Sequence, residues 1–325
     1  MNQSKQNSNG TVFTVTQFKI NGAESSLEQF YTELSVFLLI VYLLVITGNL
    51  MIILLVAVDR RLHTPMYFFL CHLSFLDIVV VTAIIPKMLA ITVMEDDMIS
   101  FSGCFLQMYF FLGSQCTESF LLTTMAYDRY IAICKPLHYN TIITKRMCAI
   151  LISITWMLGF FGPIPAVIYA VQLPYCGPNK VIYWFCDFPN VVHLACSDTS
   201  FVINLAFAVA MAVIYIPFFM IFCSYIKIIR SVIRIATADG RSKAFLTCSA
   251  HMLVVLTYFF SNAVVYLLEM VGNVSSDTRV LVAVFNCFLT PLANPIIYCL
   301  RNKEIKDAIT KYILVKKIFP LHSKI

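Results

Sequence analysis

Seven long apolar runs decide what this chain can fold into: roughly residues 34–58, 66–94, 101–134, 147–171, 202–230, 244–272 and 280–300. A helix needs about 20 mainly apolar residues to cross the hydrocarbon core of a bilayer, and each run is long enough. A soluble helical protein would instead show amphipathic faces. The first run, Leu34 to Val58, has no such face. Polar residues interrupt the second, third, fifth and sixth runs, so their ends are open by several positions. Composition agrees, because 60% of the 325 residues are hydrophobic and only 12% are charged, where a soluble domain carries about 25% charged. The expected fold class is an all-α membrane protein. A seven-helix bundle spans 34–300, after a polar outer tail, 1–33, and before a cytosolic tail, 301–325.

Basic residues set the orientation. Arg60 and Arg61 follow the first run, and Lys135, Lys145 and Arg146 follow the third. Lys227, Arg230, Arg234, Arg241 and Lys243 follow the fifth, and the C-terminal tail adds seven more between Arg301 and Lys324. The opposite side carries Glu24, Glu28, Glu33, Glu95, Asp96, Asp97, Asp187, Asp198, Glu269 and Asp277. Positively charged loops stay in the cytosol, which puts the N-terminus outside. The net charge of +6 is thus a matter of topology and of anionic lipid; it does not indicate nucleic-acid binding.

The first 33 residues are polar and the first apolar run is too long for a signal core, so the first span is expected to direct insertion itself. Asn9-Gly10-Thr11 and Asn273-Val274-Ser275 fit the glycosylation pattern; Asn9, in the outer tail, is the site expected to be used. Of twelve cysteines, Cys104, Cys176, Cys186 and Cys196 lie at or beyond the outer face, where disulfides persist. Four cysteines allow three pairings, and spacing does not choose among them.

Polar side chains inside a membrane span are expensive and need a reason. The first span holds Gly48-Asn49 and the second Asp77. The third holds Glu118 and ends on Asp128-Arg129-Tyr130, and the seventh closes with Asn294-Pro295-Ile296-Ile297-Tyr298. Residues 62–70 read LHTPMYFFL, 125–134 read MAYDRYIAIC, Lys243 to Cys248 read KAFLTC, and Pro291 to Tyr298 read PLANPIIY. This set resembles the class A, rhodopsin-like G-protein-coupled receptors, and within them the vertebrate odorant receptors along nearly the whole chain. Three departures stand out. Leu246 replaces the usual Ser, Tyr258-Phe259-Phe260 replaces the frequent Phe-Tyr-Gly, and Tyr183 replaces a common His. No ligand can therefore be carried over from a relative.

The resemblance implies a receptor, not an enzyme. Its partners would be a small-molecule odorant, membrane lipid and a stimulatory-class heterotrimeric G protein that raises cAMP at the plasma membrane. Asp128, Arg129 and Tyr130 would form the switch that meets the G protein when the sixth helix moves outward. Tyr225 and Tyr298 would hydrogen-bond in that open form, and Asn294 and Pro295 would couple it to the interior through Asn49 and Asp77. Cys104 would pair with Cys186, and Cys176 with Cys196. A ligand pocket would lie in the outer half, lined by Phe111, Leu112, Gln115, Cys116 and Ser119 on the third helix. The fifth helix would add Phe207 and Ala210, and the sixth Phe259, Asn262, Ala263 and Tyr266. No acid occurs from Phe105 through Thr117, which argues against an ammonium ligand and for a neutral, partly apolar one; Glu269 is expected in solvent.

Asp77 and Glu118 raise a charge problem of their own. Glu118 lies eleven residues before Arg129, about 16 Å deeper along the helix. Two carboxylates at one depth cannot both be ionised without a counter-charge. The expectation is a sodium ion between them, with a shared proton as the alternative; no other cofactor is expected. The segment after the seventh span, Asn302 to Phe319 with Lys303, Lys306 and Lys311, suits a short helix along the inner leaflet.

Rival functions fit less well. A transporter would show internal repeats or charge lining a mid-membrane pore, and no repeat is visible. A membrane enzyme would need a His-Glu-x-x-His, a Gly-x-Ser-x-Gly or paired catalytic acids at water. Sequence does not separate an odorant receptor from a class A receptor for a peptide or lipid, because the cytosolic machinery is shared.

Overall fold

The computed structural model describes residues 15–22, 28–270 and 276–314. The spans form a helical bundle. α1 is Tyr31–Val58, α2 Pro65–Met94 and α3 Phe101–Cys134. A short α4, Tyr139–Ile142, follows in the inner loop. The fourth span is broken into α5, Lys145–Phe161, and α6, Ile164–Val171, because Pro163 between them lacks a backbone donor. After a one-turn helix α7, Phe188–Val192, come α8, Ser200–Ile233, α9, Ala238–Met270, and α10, Ser276–Arg301. α11, Lys303–Ile309, continues as a wider turn, Thr310–Leu314. That is where the sequence places an interfacial helix; residues beyond Leu314 lie outside the described part.

Local chemistry sets several helix ends. Ser100 Oγ accepts from Gly103 N at 3.1 Å to open α3, and Thr144 Oγ1 accepts from Met147 N at 3.2 Å to open α5. Asn302 Oδ1 accepts from Glu304 N and Ile305 N to open α11. Glu95, at φ 54°, ends α2 in the left-handed region.

The bundle is dressed for lipid. On α1 Leu38, Val41, Val45, Ile52 and Leu55 are buried at helical spacing, while Leu39, Leu43, Leu44 and Leu54 on the other face are exposed. Among the described residues, five spans (α1, α2, α5 with α6, α8 and the Cys248–Val265 part of α9) are apolar and long enough by themselves to cross a membrane. α3 and α10 carry more polar residues, and these turn inward: Ser114, Thr117, Glu118, Ser119 and Asp128 on α3, Thr290 and Asn294 on α10 are buried. A glycine lets α5 lie close against α3. A Cβ added to Gly159 of α5 would sit 2.6 Å from Thr117 Cα of α3.

Buried apolar residues form two clusters, one in the outer half and one in the inner half. Between them lies a layer of Asn49, Asp77, Glu118 and Asn294, all at most 2% exposed. On α1, for example, Val45 belongs to the outer cluster and Ile52 to the inner one, with Asn49 between.

The outer face differs from expectation. Residues 1–33 read as a polar tail, yet Gln17–Ile20 forms a strand, β1, at the centre of a small sheet. β1 pairs antiparallel with β2, Met98–Ser100, and parallel with β3, Lys180–Val181. Its alternating pattern buries Phe18 and Ile20. The Phe18 ring lies 5.7 Å from Phe101 and 5.5 Å from Tyr175. Disulfides Cys104–Cys186 and Cys176–Cys196 tie the second outer loop to α3 and to itself, with Cα separations of 5.4 and 6.0 Å.

Candidate functional site

Three polar levels run through the bundle, and the innermost holds Asp128 and Arg129, expected from the resemblance to form the switch. Asp128 and Arg129 are buried at 2% and 6% exposure, and Arg129 Nε lies 3.9 Å from Asp128 Oδ2. Asp128 is held more closely by Tyr139 of α4, whose hydroxyl donates to Oδ1 at 2.7 Å. Arg129 Nη2 is buried without a partner. The Lys227 ammonium of α8 sits 5.4 Å from the Tyr130 ring centre.

Tyr225 and Tyr298, which the resemblance expects to hydrogen-bond in an open form, are not bonded to each other here. Tyr225 meets His251 Nδ1 at 2.7 Å, and His251 Nε2 lies 3.1 Å from the Leu122 carbonyl. A carbonyl only accepts, so Nε2 carries the proton and Tyr225 donates to Nδ1. One imidazole thus clasps α3, α8 and α9 together beside Arg129. The Tyr298 hydroxyl is buried and unpartnered.

The middle level is built on a proline. Pro295 has no N–H to give the Pro291 carbonyl four residues back. Asn49 Nδ2 fills that place from α1, donating to Pro291 O at 3.2 Å and to Val45 O at 3.0 Å. Gly48 lets α1 approach, since an added Cβ would lie 3.1 Å from Pro295 Cβ. Asn294 Nδ2 reaches both Asp77 oxygens, at 3.1 and 3.0 Å. Asn49 therefore contacts the α10 backbone, while Asn294 links Asp77 to α10 through its side chain. Glu118 Oε1, Asn294 Oδ1, Asn49 Oδ1 and Ser74 Oγ are buried without partners.

At the outer level the structure brings together some of the expected pocket residues. Phe111 packs edge-on against Phe185 of the second outer loop at 5.0 Å. The Tyr258 hydroxyl donates to Gln115 O at 3.0 Å, and Asn262 Nδ2 donates to Tyr258 O at 2.8 Å. Phe259 packs against Phe218 of α8 at 5.3 Å. Leu112 joins the outer apolar cluster, Cys116 is buried and Ala210 is half-buried. Ser119 is fully buried and spends its hydroxyl on Val213 O at 2.8 Å, so it is a bundle contact. Phe207 is 60% exposed and Ala263 is exposed, so neither is gathered with the rest. The side chains of Tyr266 and Glu269, and all of Asn9 and Asn273, lie outside the described residues. Two clefts sit elsewhere. One of about 310 Å³ lies at Gln17, Met98 and Cys176, and one of about 380 Å³ at Phe75, Trp156 and Phe160.

Sequence reasoning passed over His251, Tyr139 and Asn286. His251 was visible in principle as a polar residue within the sixth apolar run. Tyr139 carried no such signal, because its partner is set by the fold of the inner loop. Asn286, on α10, donates from Nδ2 to Asn262 Oδ1 at 3.4 Å.

Comparison with known proteins follows the same outline. The family profile described as olfactory receptor matches residues 38–317. Olfactory receptor 6N1 of Homo sapiens is 46% identical over 85% of this chain and 88% of its own length. Olfactory receptor 10G6 of Homo sapiens is 43% identical over 98% of this chain and 94% of its own. In fold, the crystal structure of squid rhodopsin superposes with a TM-score of 0.70 at 18% identity, covering 89% of this chain and 82% of that one. Since the likeness runs from the first span to beyond the seventh, the chain belongs to the olfactory receptor family, as a multi-pass membrane receptor that senses odorants and signals through G proteins.

Proposed function

We propose that a small, mainly neutral organic ligand binds in the outer half between α3, α8 and α9, and that the receptor then activates a stimulatory-class G protein and raises cAMP. The protein works at the plasma membrane with its N-terminus outside and Asn9 glycosylated. The observation that carries the signalling half is the clasp of Tyr225, His251 and the Leu122 carbonyl beside the buried Arg129. Outward movement of α9 must break it, and doing so would open Arg129 to a G-protein helix. The ligand half is supported by apolar and aromatic walls with a few polar anchors, the usual make-up of a small-molecule site. Micromolar affinity, about −8 kcal/mol, is expected for such a pocket.

Sodium between Asp77 and Glu118 belongs to the same proposal. Two buried carboxylates are costly without a counter-charge, and the unpartnered oxygens of Glu118 and Asn294 suit a hard cation. A sodium-dependent rise in melting temperature that Glu118→Gln abolishes supports it; equal sodium response in wild type and variant would refute it.

The signalling experiment is a cAMP reporter screened against a broad odorant panel, comparing wild type with Arg129→Ala at matched surface staining. Loss of the response in Arg129→Ala is expected; a full response would remove Arg129 from the switch. Dose–response curves for Gln115→Ala, Asn262→Ala and Glu269→Gln then test the pocket. A large right-shift from Glu269→Gln alone, with an amine agonist, would overturn the neutral ligand.

A further inference from the structure

We propose that Asn286 of α10 makes this receptor selective for ligands that carry a hydrogen-bond donor, with alcohols and phenols as the favoured class. The inference rests on the small-ligand reading above and adds a fourth wall to that pocket. Asn286 lies eight residues before Asn294, about 12 Å further out along the helix, and so above the Asp77 layer.

The polar groups at this level form one chain with a fixed direction. Asn262 Nδ2 donates to the Tyr258 carbonyl at 2.8 Å, and that oxygen can only accept. Asn262 Oδ1 is therefore the acceptor that faces Asn286, whose Nδ2 donates to it at 3.4 Å. This sets the Asn286 amide the other way round, with its carbonyl oxygen turned from Asn262. That oxygen, Oδ1, is buried and has no partner. Two hydroxyls of the expected pocket are spent on backbone carbonyls: Tyr258 OH on Gln115 O and Ser119 Oγ on Val213 O. Among the described residues no donor reaches Asn286 Oδ1.

A buried carbonyl oxygen without a partner calls for an explanation, and at the outer level, beside the expected pocket, a ligand donor supplies one. The Asn286 to Asn262 link is at the long end of hydrogen-bond distances, so the amide can turn toward a ligand at little cost. A ligand hydroxyl satisfies the oxygen; an ether or ketone of the same shape presents a second acceptor to it. Sites of this kind discriminate strongly against analogues that lack the donor. An ammonium is disfavoured, because burying a charge without a paired carboxylate is costly and α3 offers no acid from Phe105 through Thr117.

The test uses the full-length receptor with a G-protein dissociation sensor and matched sets of odorants. Each set holds an alcohol or phenol, its methyl ether, the corresponding ketone and the parent hydrocarbon. In wild type, the donor-bearing member of a responding set should be about ten-fold or more potent than its ether. Asn286→Leu should lower the alcohol to the potency of the ether and leave the ether unchanged, whereas Asn286→Gln, which keeps the oxygen, should retain the preference. Surface staining of both variants separates this from misfolding. Ethers or ketones that equal the alcohols in wild type, or an Asn286→Leu shift shared by both members of a set, would overturn the donor selectivity while leaving the receptor reading intact. Silence across every set would overturn the small-ligand reading itself.

Discussion

The side-chain amide of Asn49 donates at 3.2 Å to the Pro291 carbonyl, the same carbonyl that Pro295 leaves without its helical partner. A break in one helix is thus repaired by another. In lipid this matters more than in water, since no solvent is present to satisfy the free oxygen. Asn49→Leu should cost about 1–3 kcal/mol, the penalty for a buried acceptor left bare. A lowered melting temperature in detergent would show it, and an unchanged one would mean that α10 finds another donor.

His251 holds α9 against α3 and α8 through both ring nitrogens. Its replacement by Phe keeps bulk and loses both bonds. Ligand-independent signalling should rise several-fold above wild type at equal surface expression. A basal signal no higher than wild type would show that the clasp does not hold the resting state.

Phe18 is fully buried among Phe101, Phe105 and Tyr175. Phe18→Ala should destabilise the outer face by about 3–5 kcal/mol, as for other buried phenylalanines. Fewer receptors should reach the cell surface. Normal surface levels together with normal thermal stability would place β1 outside the essential fold.

Asp59 ends α1 and is bound by Arg61, with Nη2 to Oδ2 at 2.6 Å, while Lys311 lies 3.9 Å away. The Arg61 hydrogen bond holds the Asp59 carboxyl down at about 2. A lowered value means the charged form stabilises the fold above the ordinary carboxylate range, and that contribution fades only as pH falls through about 2. Acidifying the inner face from about pH 7 to about pH 5 should therefore leave this joint intact, whereas Asp59→Asn should loosen the Lys311 turn after α11 across that same range. Spin labels on α1 and on that turn would report the difference; a distance that changes with mild acid would contradict it.

The amino-acid sequence alone determined the apolar spans, the charge asymmetry between their ends and the polar residues within them. These depend on local quantities: the length of an apolar run, the side on which Lys and Arg accumulate, and polar residues that lipid makes conspicuous. Glu118 and Asp77 could be placed at one depth by counting residues along a helix. Tertiary structure decided which polar groups meet. Asn49 finds the α10 backbone, Tyr225 finds His251, and Ser119 turns to Val213. It also gave β1 its existence, because a four-residue strand has no stability apart from β2 and β3, which lie about 80 and 160 residues away in the chain. Helix rotation explains Phe207 and Ala263. In a run that is apolar on every side, composition does not say which face meets the bundle; only contact with the neighbouring helices fixes it.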